Sequence, residues 1–148
     1  MSSASFAYPK RGVEMNIVYV IGPYRPNKEF PSTEYNIERA KQVAIKICQS
    51  GNIVLCPHTN TGGFEHQVEN EQFFIDGTKM LLEKCDAAVV LPGWELSVGS
   101  IGEIILAAQK RIPLFFCYYD NNYILGEEDG DLCLPESYYT FFNMEYPY

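Results

Sequence analysis

Long apolar runs are missing from this 148-residue chain: none reaches the roughly 18 positions that a membrane span needs. The opening MSSASFAYPK has no basic stretch followed by an apolar one, so no signal peptide is expected. Basic residues are scarce. Lys and Arg number 11 against 19 Asp and Glu, the net charge is −8, and no Lys or Arg follows Arg111. The chain therefore lacks the basic surface on which non-specific nucleic-acid binding relies, and it lacks a polybasic patch for a membrane. A small anionic ligand stays open, because a few local donors outweigh a distant net charge. Paired metal-ligand spacings are also absent. The five cysteines form no C-x-x-C, so no zinc site is expected. Cys56, Cys85 and Cys117 lie in or beside apolar runs, which reads as buried reduced thiols in a cytoplasmic protein.

With 47% hydrophobic and 20% charged residues, the chain has the composition of one globular domain. Residues 1–14 carry no periodic pattern and read as a flexible arm; residues 15–148 form the domain. Asn16–Ile21, Ile53–Cys56, Ala87–Leu91 and Pro113–Tyr118 are short apolar runs stopped by Gly, Pro or polar residues, and read as strands. Thr33–Ser50, Glu71–Lys84 and about Ser100–Arg111 carry apolar residues at three- and four-residue steps and read as helices. Ser32 or Thr33 can cap the first helix and Gly51 can end it. The stretch PHTNTGGFEHQVEN reads as a long polar loop. Strands that alternate with helices and are apolar on both sides predict an α/β doubly wound parallel sheet of four to five strands. The last third is acidic and holds seven of the 11 tyrosines after residue 117. The run around Gly126 to Gly130 reads as a solvated loop. The aromatics from Tyr138 to Tyr148 read as docking on this domain or on a second subunit, which makes a homodimer or higher homo-oligomer the expected state.

In an open parallel sheet, ligands bind beyond the carboxyl ends of the strands. Three loops would meet there: Gly22-Pro23-Tyr24-Arg25, Pro57-His58-Thr59-Asn60, and PGWELSVGSIGE from Pro92 to Glu103. The last places Ser97, Gly99, Ser100 and Gly102 at a helix start, where free backbone N–H groups and the helix dipole favour an anion. Glu103 is expected in the first turn, where the dipole favours its ionised form. An ionised Glu facing a sugar is the nucleophile that glycosyl transfer needs. Ser100-x-x-Glu103 equally fits a capping box, and a Glu bent back onto its cap cannot attack. On spacing alone both readings stand.

Leu91-Pro92-Gly93-Trp94 followed by Ser97, Gly99 and Glu103, with the opening IGPYR, the strand-end His58 and Asp86, resembles the nucleoside 2-deoxyribosyltransferase superfamily. The likeness extends to its deoxynucleoside 5′-monophosphate N-glycosidases and to short phage and bacterial relatives, and covers about Met15 to Cys117. It implies a Rossmann-like (flavodoxin-like) fold, no metal or other cofactor, and attack by Glu103 on C1′ of a deoxyribose. The transferases usually carry Asp where this chain has Ser97, and the monophosphate glycosidases carry Ser. A carboxylate would repel a 5′-phosphate that a hydroxyl would accept. The resemblance thus implies a phosphate pocket of Arg25, Ser97, Gly99 and Ser100, and a small-molecule nucleotide as partner. Gly22 and Tyr24 would line the sugar side. Asp76 is the candidate for orienting or protonating the base. His58 could touch sugar or phosphate or bond only to backbone, and Trp94 could stack on the base or cover the helix start. Asp86 reads as a structural cap and His66 as surface.

Ile101 stands where the glycosidases have glycine and would crowd the phosphate, and the chain after Cys117 does not align. Hydrolysis or transfer at the N-glycosidic bond of a (deoxy)nucleoside 5′-monophosphate is the expected function. The alternative is a module that binds the nucleotide without turning it over. The cytokinin-type phosphoribohydrolases share Pro-Gly before a glycine-rich helix start, but PGWELSVGSIGE departs from their PGGxGTxxE pattern.

Overall fold

β1 (Ile17–Ile21) sits at the centre because its side chains are apolar on both faces, and the chain covers both. Val18 and Val20 enter one core with Ala40, Val43 and Ile47 of α1 (Thr33–Gln49). Tyr19 and Ile21, pointing the opposite way, enter a second core with Leu82 of α3 (Glu71–Leu82) and Ala107 of α4 (Val98–Gln109). The computed structural model describes residues 14–27, 32–120 and 131–147.

β2 (Ile53–Leu55), β3 (Ala87–Val90) and β4 (Leu114–Phe116) complete a four-stranded parallel sheet in the order β2-β1-β3-β4. Register pairs Val18 with Val54, Val20 with Val89 and Val89 with Phe115. This is the α/β doubly wound sheet that the pattern predicts, in flavodoxin-like strand order. Its crevice falls between β1 and β3, where the chain departs to opposite sides. At the other end of β1 the Ile17 N–H donates to Asp86 at 2.8 Å, so Asp86 secures the sheet's foot and caps no helix.

Local chemistry sets the helix limits. Ser32 accepts from the Tyr35 N–H at 3.0 Å and starts α1; Gly51, at φ +96°, follows its end in the left-handed region that glycine tolerates. The expected loop after β2 instead holds a four-residue helix, α2 (Pro57–Asn60), and a 3₁₀ turn at Phe64–His66. Pro57 starts α2 because its fixed φ suits a first helical position. α4 begins two residues earlier than expected, and of the two serines able to cap it, Ser97 and Ser100, Ser97 does so.

The tail departs most from expectation. β5 (Tyr118–Tyr119) pairs antiparallel with β6 (Leu132–Cys133), and α5 (Glu136–Phe141) follows. Leu132, Leu134, Tyr138 and Tyr139 are buried in the α1-side core, and Phe115 packs edge-on against Tyr138. The Tyr138 hydroxyl accepts from Asn52 Nδ2 at 3.0 Å and lies 2.8 Å from Ser50 Oγ. Tyr138 and Tyr139 therefore dock on their own domain, the first of the two expected placements, while Phe141 stays exposed. The expected arm, residues 1–14, falls almost wholly outside the described residues, as does the acidic loop at 121–130. Among the described residues, no helix is long and apolar enough to cross a membrane. Cys56, Cys85, Cys117 and Cys133 are buried free thiols and Cys48 is exposed.

Candidate active site

The carboxyl end of β1, the start of α2 and the chain entering α4 border a cavity of about 940 Å³ lined by Tyr19, Arg25, His58, Lys79, Ser97 and Glu103, among others. Gly22 turns the chain away from β1 at its rim. A Cβ there would stand 2.5 Å from Leu91 Cδ1, so the close approach requires glycine.

Glu103 stands in the second turn of α4. Ser97 Oγ accepts from the Ser100 N–H at 3.2 Å and starts the helix, which leaves no acidic residue in its first turn. The expected capping box is therefore absent, and so is the first-turn dipole as the force that ionises Glu103. Its carboxylate instead accepts from the Tyr19 hydroxyl. Burial pushes the Glu103 carboxyl up to about 7, with the Tyr19 donor and the positive charge of Lys79 pulling the other way. Burial beside this carboxylate also holds the Tyr19 hydroxyl far above its ordinary value, so it stays a donor.

The cavity wall at the start of α4 holds a hydroxyl with no partner. Ser100 is 1% exposed, yet its Oγ makes no hydrogen bond with any described residue. A buried polar atom left unpaired costs roughly 1–3 kcal/mol, so a donor or acceptor that reached this hydroxyl would be favoured. Gly99 adds room: a Cβ there would meet nothing within 4 Å. Arg25 stands at the mouth, exposed, in an ion pair with Glu71 at 3.2 Å. The Tyr24 hydroxyl donates to the Glu65 carboxylate at 2.9 Å and accepts from the Gly63 N–H at 2.8 Å, tying the β1 loop to the 3₁₀ turn.

The structure narrows the role of His58. Its buried Nε2 lies 3.1 Å from the Gly22 carbonyl and 3.0 Å from the Pro23 carbonyl. Two acceptors fix the proton on Nε2, and burial lowers the pKa, so the ring is neutral. Its polar edge braces the β1 loop rather than a ligand.

Gly22, Tyr24, Arg25, His58, Ser97, Gly99, Ser100 and Glu103 thus all border one cavity. Asp76 does not: it is exposed and accepts from Gln72 Nε2 at 2.7 Å. Trp94 lines a separate cavity of about 520 Å³ and packs on Phe116 with ring centres 5.8 Å apart, so it covers the edge of the sheet. Ile101 is outside the main cavity and does not crowd it. His66 is exposed, as expected. Tyr19 and Lys79 are among the lining residues that carried no assignment from sequence. A lone tyrosine within the aliphatic run IVYVI was the available signal for the first. Among the described residues, no three His, Cys, Asp or Glu side chains gather as a metal site would require.

The sequence model of one family, described as a domain of unknown function (DUF7768), matches residues 16–117. No curated protein matches the chain.

Proposed function

The chain belongs to the DUF7768 family, and we propose that it cleaves or transfers at the N-glycosidic bond of a (deoxy)nucleoside 5′-monophosphate, with Glu103 as nucleophile. The observation that carries this reading is the placement of Glu103. It borders the cavity, bonds to Tyr19 and does not fold back on the helix cap. Tyr19 holds one carboxylate oxygen, and the other remains for attack. A phosphate at the start of α4 would take the Ser100 hydroxyl and first-turn N–H groups, with Arg25 released from Glu71 to meet it. That places the sugar between the phosphate and Glu103. The carboxylate attacks C1′, the base leaves with the bond electrons, and a glycosyl ester forms on Glu103. Water on that ester gives the sugar 5-phosphate; a second base gives a new nucleotide.

Asp76 has no part in this scheme, being outside the cavity. The test is a panel of nucleosides and nucleoside 5′-monophosphates incubated with the protein, with free base followed by chromatography. Release from monophosphates, lost in Glu103→Gln, is the expected result. A second reading, a module that holds the nucleotide without turnover, is favoured by the raised Glu103 carboxyl, which leaves much of it protonated at neutral pH. Saturable binding by calorimetry with no base released from any member of the panel would establish that reading in place of the first.

A further inference from the structure

Lys79 projects from α3 into the same cavity as Glu103, and its ammonium makes no ion pair or hydrogen bond with any described residue. It runs over Gly102. Lys79 Cε and Nζ both pass 3.8 Å from the point where a Gly102 Cβ would stand, so a Cβ alone would just touch them and a branched side chain would displace them. The neighbouring residue on α4 is Glu103.

We propose that Lys79 is a positioning residue for Glu103: its ammonium, lying over the bare surface of α4 at Gly102, holds the half-buried carboxylate charged on the cavity side. The inference rests on the reading of Glu103 as a nucleophile, which must be ionised to attack. The groups around Glu103 leave this task to Lys79. From β1 comes Tyr19, a neutral donor, with Thr78 of α3 and Cys85 beside its hydroxyl. From α4 itself come the uncharged Ser97 and Ser100. Lys79 of α3 is the cation whose charge bears on Glu103, and it offsets part of the upward push of burial.

The test is a carbon NMR titration of the Glu103 carboxyl in the full chain, which needs no turnover. The midpoint should rise by about one pH unit in Lys79→Met. It should return toward the wild-type value in Lys79→Arg and rise in Gly102→Leu, where the charge is kept but displaced. An unchanged midpoint in folded Lys79→Met overturns the proposal; if that variant does not fold, Gly102→Leu decides in the same way. A midpoint that moves as expected in a protein releasing no base keeps the coupling and removes the nucleophile reading alone.

Discussion

The Tyr19 hydroxyl donates to the Glu103 carboxylate across 84 residues of sequence, joining the central strand to the second turn of α4. The bond exists because β1 is buried on both faces, so an odd-numbered side chain points at the helices that wall the cavity. It puts a neutral donor, rather than a helix cap, in contact with the candidate nucleophile.

Glu103→Gln should lower base release roughly a thousandfold or more while nucleotide affinity changes little, since a lost nucleophile removes transition-state rather than ground-state interactions. Single-turnover chromatography and calorimetry read the two quantities separately. Turnover at the wild-type rate would take Glu103 out of the chemistry.

The raised Glu103 carboxyl gives a signed pH prediction. Base release should climb as pH rises through about 7, where the attacking carboxylate forms. Stability should move the other way. Between the ordinary value of 4.5 and about 7, the folded protein keeps a proton that the unfolded chain has released. Stability therefore falls as pH rises through this window, by on the order of 3 kcal/mol once it is passed. Glu103→Gln lacks this cost, so its melting temperature should gain more on the wild type at pH 8 than at pH 5. An equal gain at both would exclude Glu103 as the source.

Ser100→Ala should separate ligand from fold. The hydroxyl has no partner among the described residues, so its loss should leave stability unchanged or raise it by about 1 kcal/mol. Monophosphate affinity should fall roughly tenfold with nucleoside affinity unaffected. Thermal melts and calorimetry test both halves; equal weakening of the two ligands would place the phosphate elsewhere.

Ser97→Asp should keep α4, because aspartate caps a helix about as well as serine. It also sets a negative charge where a phosphate is proposed. Monophosphate binding should weaken by tenfold or more, on the order of a lost charge-assisted contact, while nucleoside binding holds or improves. Calorimetry showing unchanged monophosphate affinity would argue against a phosphate at this helix start.

The strands and the three long helices were legible because β-branched runs and a single apolar stripe leave little choice of period. Most of the cavity's rim was legible too, since loops after parallel strands converge. The finer placements were not. Both Ser97 and Ser100 can cap a helix, and only the backbone decides that Glu103 falls in the second turn. Tyr19 was hidden by burial on both faces, which erases the alternation that would assign a side. Lys79 shares α3 with Glu71 and Asp76 and looks like one more solvated charge until α4 packs beside it. Trp94 lies within the loop that carries the site, yet Phe116 on β4 draws it to the sheet edge.

The family match ends at Cys117, but Leu132, Leu134, Tyr138 and Tyr139 close the α1 side of the core. A polypeptide stopped after Cys117 would leave Phe115 and the part of the core beside it uncovered. On the ribosome the same geometry imposes an order of events. At roughly 5–20 residues per second, the nascent chain presents an uncovered apolar sheet for a few seconds before the tail can seal it. In that interval it is exposed to chaperone capture or misassociation.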